Sequence, residues 1–314
     1  MNLRRPLLWL SLLLLAACVE ESTIRPDFLL ADAHGSGSRV AVDEQGRRVA
    51  SAGLDGTLGL WEGESGRRLA RWKGHEGSVN GLLFLAGGTR LVSGAWDGRV
   101  ALWDSAGRRV ADRHTASPVT AMVKTGEHAF WSGHADGSLR LWSSDLELRE
   151  EQRLPAGYIR ALAWSGGTLA AADRKGNLWL RRRGEEEFRR IDHLPAHLRA
   201  LVFDDEGRHL FGGSWFRLYR WDLASGKRTM LDTDHFGIIT ALDWDPSRRL
   251  LFSISRQTDS SILALDPATG ATRTDFGRHD LCGADVAISP DGSLLATTSD
   301  DGSVRIWRLA SLLR

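Results

Sequence analysis

Four sets of residues in this 314-residue chain carry the side chains of a hydrolase: a hydroxyl, an imidazole and a carboxylate. They are His34, Ser51 and Asp55; His75, Ser93 and Asp97; His114, Ser132 and Asp136; and His279, Thr297 and Asp301. In a nucleophilic enzyme the hydroxyl attacks, the imidazole takes its proton, and the carboxylate orients the imidazole. That chemistry is needed once. A constellation recurring at matching offsets points instead to a repeated scaffold, in which buried polar groups satisfy one another. Each hydroxyl is followed ten residues later by a tryptophan: Trp61, Trp103, Trp142 and Trp307.

The elements that must position these residues can be read from the repeat itself. The phrases "AWDGRVALW" (95–103), "HADGSLRLW" (134–142) and "SDDGSVRIW" (299–307) each join a turn to a strand. Their alignment sets one register at Trp61, Trp103, Trp142, Arg181, Trp221, Leu265 and Trp307, a period near forty residues met seven times. Each unit holds four short runs of strand-like alternation; in the second they cover about 79–85, 90–95, 99–104 and 108–113, separated by Gly, Asp or Ser turns. No long helical period follows residue 18. The prediction is an all-β chain: a seven-bladed β-propeller of four-stranded antiparallel blades. In the seventh unit the strands near 284–289, 294–299 and 303–308 leave too little chain for a fourth. The segment "RPDFLLADA" (25–33) has no other place, so it is expected to close the ring as the outer strand of the last blade, covering an edge that would otherwise template aggregation.

Gly74-His75 through Trp103-Asp104, Trp221-Asp222 and "SPDG" at 289–292 together resemble the WD-repeat family over nearly the whole chain after its leader. The resemblance implies that Asp55, Asp97, Asp136 and Asp301 sit in turns and accept from His34, His75, His114 and His279. These histidines would bond Ser51, Ser93, Ser132 and Thr297, which reach the indoles of Trp61, Trp103, Trp142 and Trp307. It also implies that loops on one face contact protein partners. By register that face would present Leu54, Trp96, His134, Arg174, Trp215, Phe216 and Arg256, and Trp and Arg are the types that dominate binding hot spots. Units four to six depart from the pattern, with Ala171, Lys175 and Arg181, with Phe211 and Trp215, and with Leu265, so these blades are expected to lack the network.

The N-terminus reads as an export signal. Arg4 and Arg5 precede a largely apolar run from Leu7 to Ala17, too short for the ~20 residues of a membrane-spanning helix. Leu15-Ala16-Ala17-Cys18 resembles a bacterial lipobox, which implies cleavage before Cys18 and its lipidation. Val19 rather than aspartate follows, the pattern of lipoproteins sent to the outer membrane. The expected organisation is a signal peptide over 1–17, the lipidated Cys18 and a tether to 26, and the propeller from 27 to 314. From Cys18 to Asp27 the tether spans at most ~30 Å, which keeps any partner near the periplasmic membrane surface.

Charge and cysteine content exclude several classes. The 41 basic and 40 acidic residues nearly cancel, and losing Arg4 and Arg5 leaves one more acidic than basic residue, so nothing attracts nucleic acid. With Cys18 acylated, Cys282 has no disulfide partner and no zinc or haem spacing exists. "HGSGSR" (34–39) precedes no helix and makes no nucleotide cradle. His128, His197 and His209 are scattered, so neither a metal nor a cofactor is expected. The sequence therefore predicts a monomeric, non-catalytic scaffold for protein partners in the bacterial envelope. Two alternatives stand beside it. One is an enzyme or electron-transfer accessory using the central channel; the other resembles the eight-bladed lipoprotein of outer-membrane protein assembly, from which the seven-fold register differs.

Overall fold

The computed structural model describes residues 24–155 and 157–311; Cys18 and the leader lie outside the described residues. Twenty-eight strands form seven four-stranded antiparallel sheets, and the 3-10 turn Leu309–Ser311 is the only helical piece among the described residues. The blades span 37–73, 79–114, 119–153, 159–193, 200–231, 238–278 and 283–308, the last completed by Phe28–Leu30. Blade two runs Val79–Leu85, Arg90–Ala95, Arg99–Asp104 and Arg109–His114, within one residue of the alternation read from the sequence.

Burial follows position within a blade. The second strand of blade two is buried along nearly its whole length, whereas the outer strand Arg68–Lys73 of blade one alternates between exposed and half-buried. A central strand has a neighbouring blade over each face and so reads as continuously apolar or small; an outer strand is wetted on one side. The apolar core is correspondingly divided into seven clusters, each bridging two adjacent blades. One packs Leu58 and Leu60 of blade one against Val79, Phe84 and Trp103 of blade two. Another packs Ala287, Leu294 and Ile306 of blade seven against Val40, Val49 and Trp61 of blade one.

Ring closure is made by the N-terminal strand, as the count of strands requires. Phe28 pairs with Ile306 and Leu30 with Val304. Asp27 accepts from the Arg308 amide at 2.8 Å and from its guanidinium at 2.9 and 3.0 Å, while that guanidinium lies 5.6 Å from the Phe28 ring centre. The blade that would otherwise expose an edge is thus joined across the whole length of the chain.

The turns between second and third strands share one face of the ring, the upper face, with the connections that lead into each inner strand. Backbone bonds lock the two sets together: Trp96 N to Ser78 O at 2.8 Å, Ala135 N to Pro118 O at 3.0 Å and Arg174 N to Tyr158 O at 3.0 Å. The Asp-Gly turns need a left-handed residue. Gly98 has φ +74°, and at Gly56, φ +82°, a Cβ would also collide with the His75 carbonyl.

Candidate functional site

In blade two the indole nitrogen of Trp103 donates to Ser93 Oγ at 2.8 Å, and Ser93 Oγ lies 2.7 Å from His75 Nε2. His75 Nδ1 is 3.1 Å from Asp97, which also accepts from the Glu76 and Arg99 amides at 3.0 Å. One tautomer satisfies every member: Ser93 O–H donates to Nε2, and Nδ1–H donates to Asp97. Blade one repeats the chain through Trp61, Ser51 and His34, with Thr57 inserted between His34 and Asp55. In blade seven His279 joins Thr297 at 2.8 Å and Asp301 at 2.9 Å. Trp307 is fully buried there, but its indole nitrogen has no hydrogen-bond partner among the described residues. Its share in blade seven is packing alone, which corrects the role inferred from the resemblance.

Burial dominates the electrostatics. It pulls His34 down to about 4 against the opposing pull of Asp55, and it lowers His75 and His279 in the same way. For Asp301 burial acts upward, but hydrogen bonds from His279 and Ser303 outweigh it and hold the carboxyl below its usual range. Ser51, Ser93 and Ser132 have no exposed surface. A hydroxyl sealed from solvent and bonded on both sides presents no nucleophile to a substrate.

Blade three departs from expectation in two places. Its first hairpin is one residue shorter, Val119 to Ser132 against Val79 to Ser93, so Thr115 rather than His114 occupies the place of His75. His114 is exposed at the end of an outer strand, outside the network. The imidazole comes instead from His134, expected on the partner-binding face but fully buried. It pairs in register with Val119, as Ala95 pairs with Val79, and so points inward; Ala135 takes the loop position held by Trp96. Ser132 Oγ lies 2.8 Å from His134 Nε2 and accepts from Trp142 at 2.8 Å. The Asp136 carboxylate accepts from Ser138 and pairs with Arg153, its amide donates to Ser117 Oγ, and it does not reach the imidazole.

Blades four and five lack the shared network, as expected, and use buried or half-buried carboxylates in its place, whereas blade six has it, contrary to expectation. In blade four the position of His134 is filled by Asp173, fully buried, which accepts from the Lys175 and Asn177 amides, from Asn177 Nδ2 and from Trp179 Nε1, the last two at 2.8 Å. Arg181, in the tryptophan register, lies 5.2 Å from the Trp131 ring centre and pairs with Glu150. Blade five has a shorter turn, which puts Gly212 rather than Phe211 in the place of Ser93, against the Trp221 ring; that indole reaches out to Asp192 of blade four at 2.8 Å. Blade six has His235 bonded to Ser253 at 2.8 Å and facing Asp259 at 3.2 Å. His235 precedes Ser253 at the spacing of His75 and Ser93, a signal hidden behind Leu265 and a longer turn.

The upper face carries the remaining expected residues. Trp96 is 48% exposed, Trp215 41%, Phe216 53% and Leu54 49%, and Phe236, which sequence reasoning missed, is 73% exposed on the adjoining connection. Arg174 is exposed. Arg256 is half-buried and ion-paired with Asp300 of blade seven at 2.7 Å, so it braces two blades rather than standing free. Trp96 leans inward, its ring 6.1 Å from that of Tyr158 at the entrance to blade four.

Comparison with known proteins agrees with this geometry. The family model "WD domain, G-beta repeat" matches residues 66–104 and 276–308, each carrying a complete His–Asp turn. Among similar proteins, "Protein transport protein sec13" of Aspergillus fumigatus is 24% identical over 288 residues, covering 85% of this chain and 90% of that protein. The protein of the same name from Aspergillus oryzae is 25% identical, covering 85% and 93%. "Protein tipD" of Dictyostelium discoideum is 26% identical over 253 residues, covering 76% of this chain and 40% of its own length. The seven-bladed ring and the two matched repeats support a WD-repeat β-propeller family for this chain. Within this WD-repeat propeller the two stretches matched by the family model lie in blades two and seven, where His, Ser or Thr, and Asp meet directly. Blades four and five, with Asp173 and Asp192 as substitutes, fall outside the matched stretches.

Proposed function

We propose that this propeller is a non-catalytic docking platform for protein partners, tethered through a lipid on Cys18 to the periplasmic side of a bacterial outer membrane and working as a monomer. The WD-repeat architecture supports an interaction scaffold in general terms. The observation that carries the specific reading is the upper face, where Trp96, Trp215 and Phe216 stay exposed on hairpin turns and Phe236 on the adjoining connection. Large aromatics fixed on a stiff support lose little entropy on binding and make effective anchors. Arg174 beside them supplies a charge that can pair with a partner's carboxylates.

The test is in-cell crosslinking followed by affinity capture of the membrane-extracted chain, with Cys18→Ala as the tether control. A partner captured by the wild type is expected to be lost from the Trp96→Ala/Trp215→Ala double variant, while stability changes by no more than about 0.5 kcal/mol, as for exposed positions. Equal capture by both proteins would remove these aromatics from the interface. Capture that survives Cys18→Ala unchanged, with the chain still in the membrane fraction, would refute the lipid tether.

A further inference from the structure

One position of the inner strands differs between blades in a way the scaffold does not require. In most blades the inner strand carries a bulge at its upper end, which turns one side chain toward the central channel. At that position Ser38, Asn80, Thr120 and Thr240 each donate to a backbone carbonyl of the same or a neighbouring blade, at 2.8 to 3.2 Å. Blades four and five place Arg160 and Arg199 there instead, side by side. Neither guanidinium has an ion pair among the described residues, although Glu44, Asp243 and Asp285 line the larger channel cavity with them. Arg160 lies 5.7 Å from the Tyr158 ring centre, and Arg199 Nε is buried with no hydrogen-bond partner among the described residues.

The surroundings add positive charge. Arg39 and Arg256 line the same cavity of about 180 Å³ at the channel mouth, and Asp300, which pairs with Arg256, is its only carboxylate. Arg39 lies near Asp285 below, so the uncompensated charge rests mainly on blades four and five. Arg174 approaches the other side of the site, its guanidinium 6.0 Å from the Tyr158 ring centre. The same field acts on neighbouring groups. Burial, then Arg160 and Arg256, bring Arg199 down to about 10; burial, then Arg160, Arg199 and Arg174, lower His197, whose buried Nε2 also has no partner. Adjacent like charges in a confined mouth cost stability unless a counter-charge enters, and paired guanidiniums present several N–H groups in the planar geometry that oxyanions accept.

We propose that the channel mouth is a binding site for a small oxyanion of the phosphate class carrying at least two negative charges, gripped between Arg160 and Arg199 with Tyr158 alongside. The site adjoins the docking face, where Trp96 lies against Tyr158, but its occupancy is measurable on the purified chain without any protein partner. Isothermal titration of pyrophosphate into the full, membrane-extracted chain should show one site. Arg160→Gln and Arg199→Gln should each weaken binding at least tenfold and the double variant at least a hundredfold. Arg108→Gln, on an exposed ion pair far from the channel, should leave it unchanged.

Pyrophosphate should also raise the wild-type thermal transition above that in chloride of equal ionic strength, a readout that holds even if a variant fails to fold. Without anion, the double variant should melt at or above the wild type, because two repelling charges are gone. Equal pyrophosphate binding by wild type and double variant, or none by the wild type, would overturn the proposal. Tighter binding of citrate than of pyrophosphate would overturn the phosphate assignment and make the ligand a polycarboxylate.

Discussion

Blade two brings His75 in from the preceding connection, and the imidazole links the tryptophan-bound hydroxyl of Ser93 to the turn carboxylate of Asp97. In blade four no imidazole reaches the buried carboxylate; His193 meets Asn177 Oδ1 instead, at 3.1 Å. There Asp173, at the end of the second strand, takes the turn amides and the indole of Trp179 directly on one carboxylate. Both arrangements satisfy donors that the neighbouring blades seal from water, so what the fold demands is a satisfied set of polar groups rather than particular residue types. The difference lies in how many groups depend on a single side chain. Blade two spreads the load over three residues, two of them uncharged, whereas blade four concentrates it on one buried carboxylate.

Removing the carboxylate from each blade is the strongest way to break this comparison. Asp173→Ala leaves four donors without their acceptor in a fully buried place and should cost about 4 kcal/mol in chemical unfolding. Asp97→Ala frees two amides that water can reach and one imidazole proton, and should cost about 2 kcal/mol. Equal losses, or a smaller one for Asp173, would show that blade four does not rest on that residue.

Acid should separate the two designs next. His34 and His134 are held near 4, against an ordinary value of 6.5, chiefly by burial. As pH falls the unfolded chain takes up these protons first, so their contribution is fully present above about 6.5 and lost progressively toward 4, roughly 3 kcal/mol for each. His134→Gln should therefore flatten the loss of stability between those limits by up to one proton. Asp243 has the opposite sign: burial raises it to about 7, so the native state holds a proton that the unfolded state has released, and its contribution fades as pH rises toward 7. Asp243→Asn should steepen the acid loss.

The smallest expected effect sharpens the comparison in blade five. Gly212→Ser restores the residue type that accepts from the tryptophan in blades one to three, yet its Cβ would lie 2.9 Å from the Trp221 ring and 3.0 Å from Leu198, and the indole already donates to Asp192. The substitution should destabilise by about 1 kcal/mol. A gain in stability would mean that the shared network outranks the local packing.

How far this molecule could be read in advance depends on which interactions repeat. The seven units, the strand positions of blade two and the closing strand at Phe28–Leu30 were legible because period-two burial and a forty-residue repeat leave marks in every unit. His235 and Ser253 had the right spacing and were overlooked because Leu265 broke the tryptophan register. His114 was misassigned because the first hairpin of blade three is one residue shorter, so a count back from the tryptophan falls one residue early; His134 stands eight residues before Trp142, whereas Leu54 and Trp96 stand seven before Trp61 and Trp103, a count that gives Ala135. The exposure of Phe236 had no signature, since a connection bears no periodicity.

The sequence by itself determined the architecture: local alternation, Asp-Gly turns and a sevenfold count admit one ring of blades. Tertiary structure alone decided which polar groups meet and which stay unpaired. "IRAL" in blade four and "LRAL" in blade five look like ordinary inner strands. That Arg160 and Arg199 face one cavity whose single carboxylate, Asp300, is taken by Arg256 follows from the closure of the ring, which brings together residues from different blades. Pairwise contacts of that kind are set by the angle between blades and by single-residue bulges, and a one-dimensional pattern holds neither.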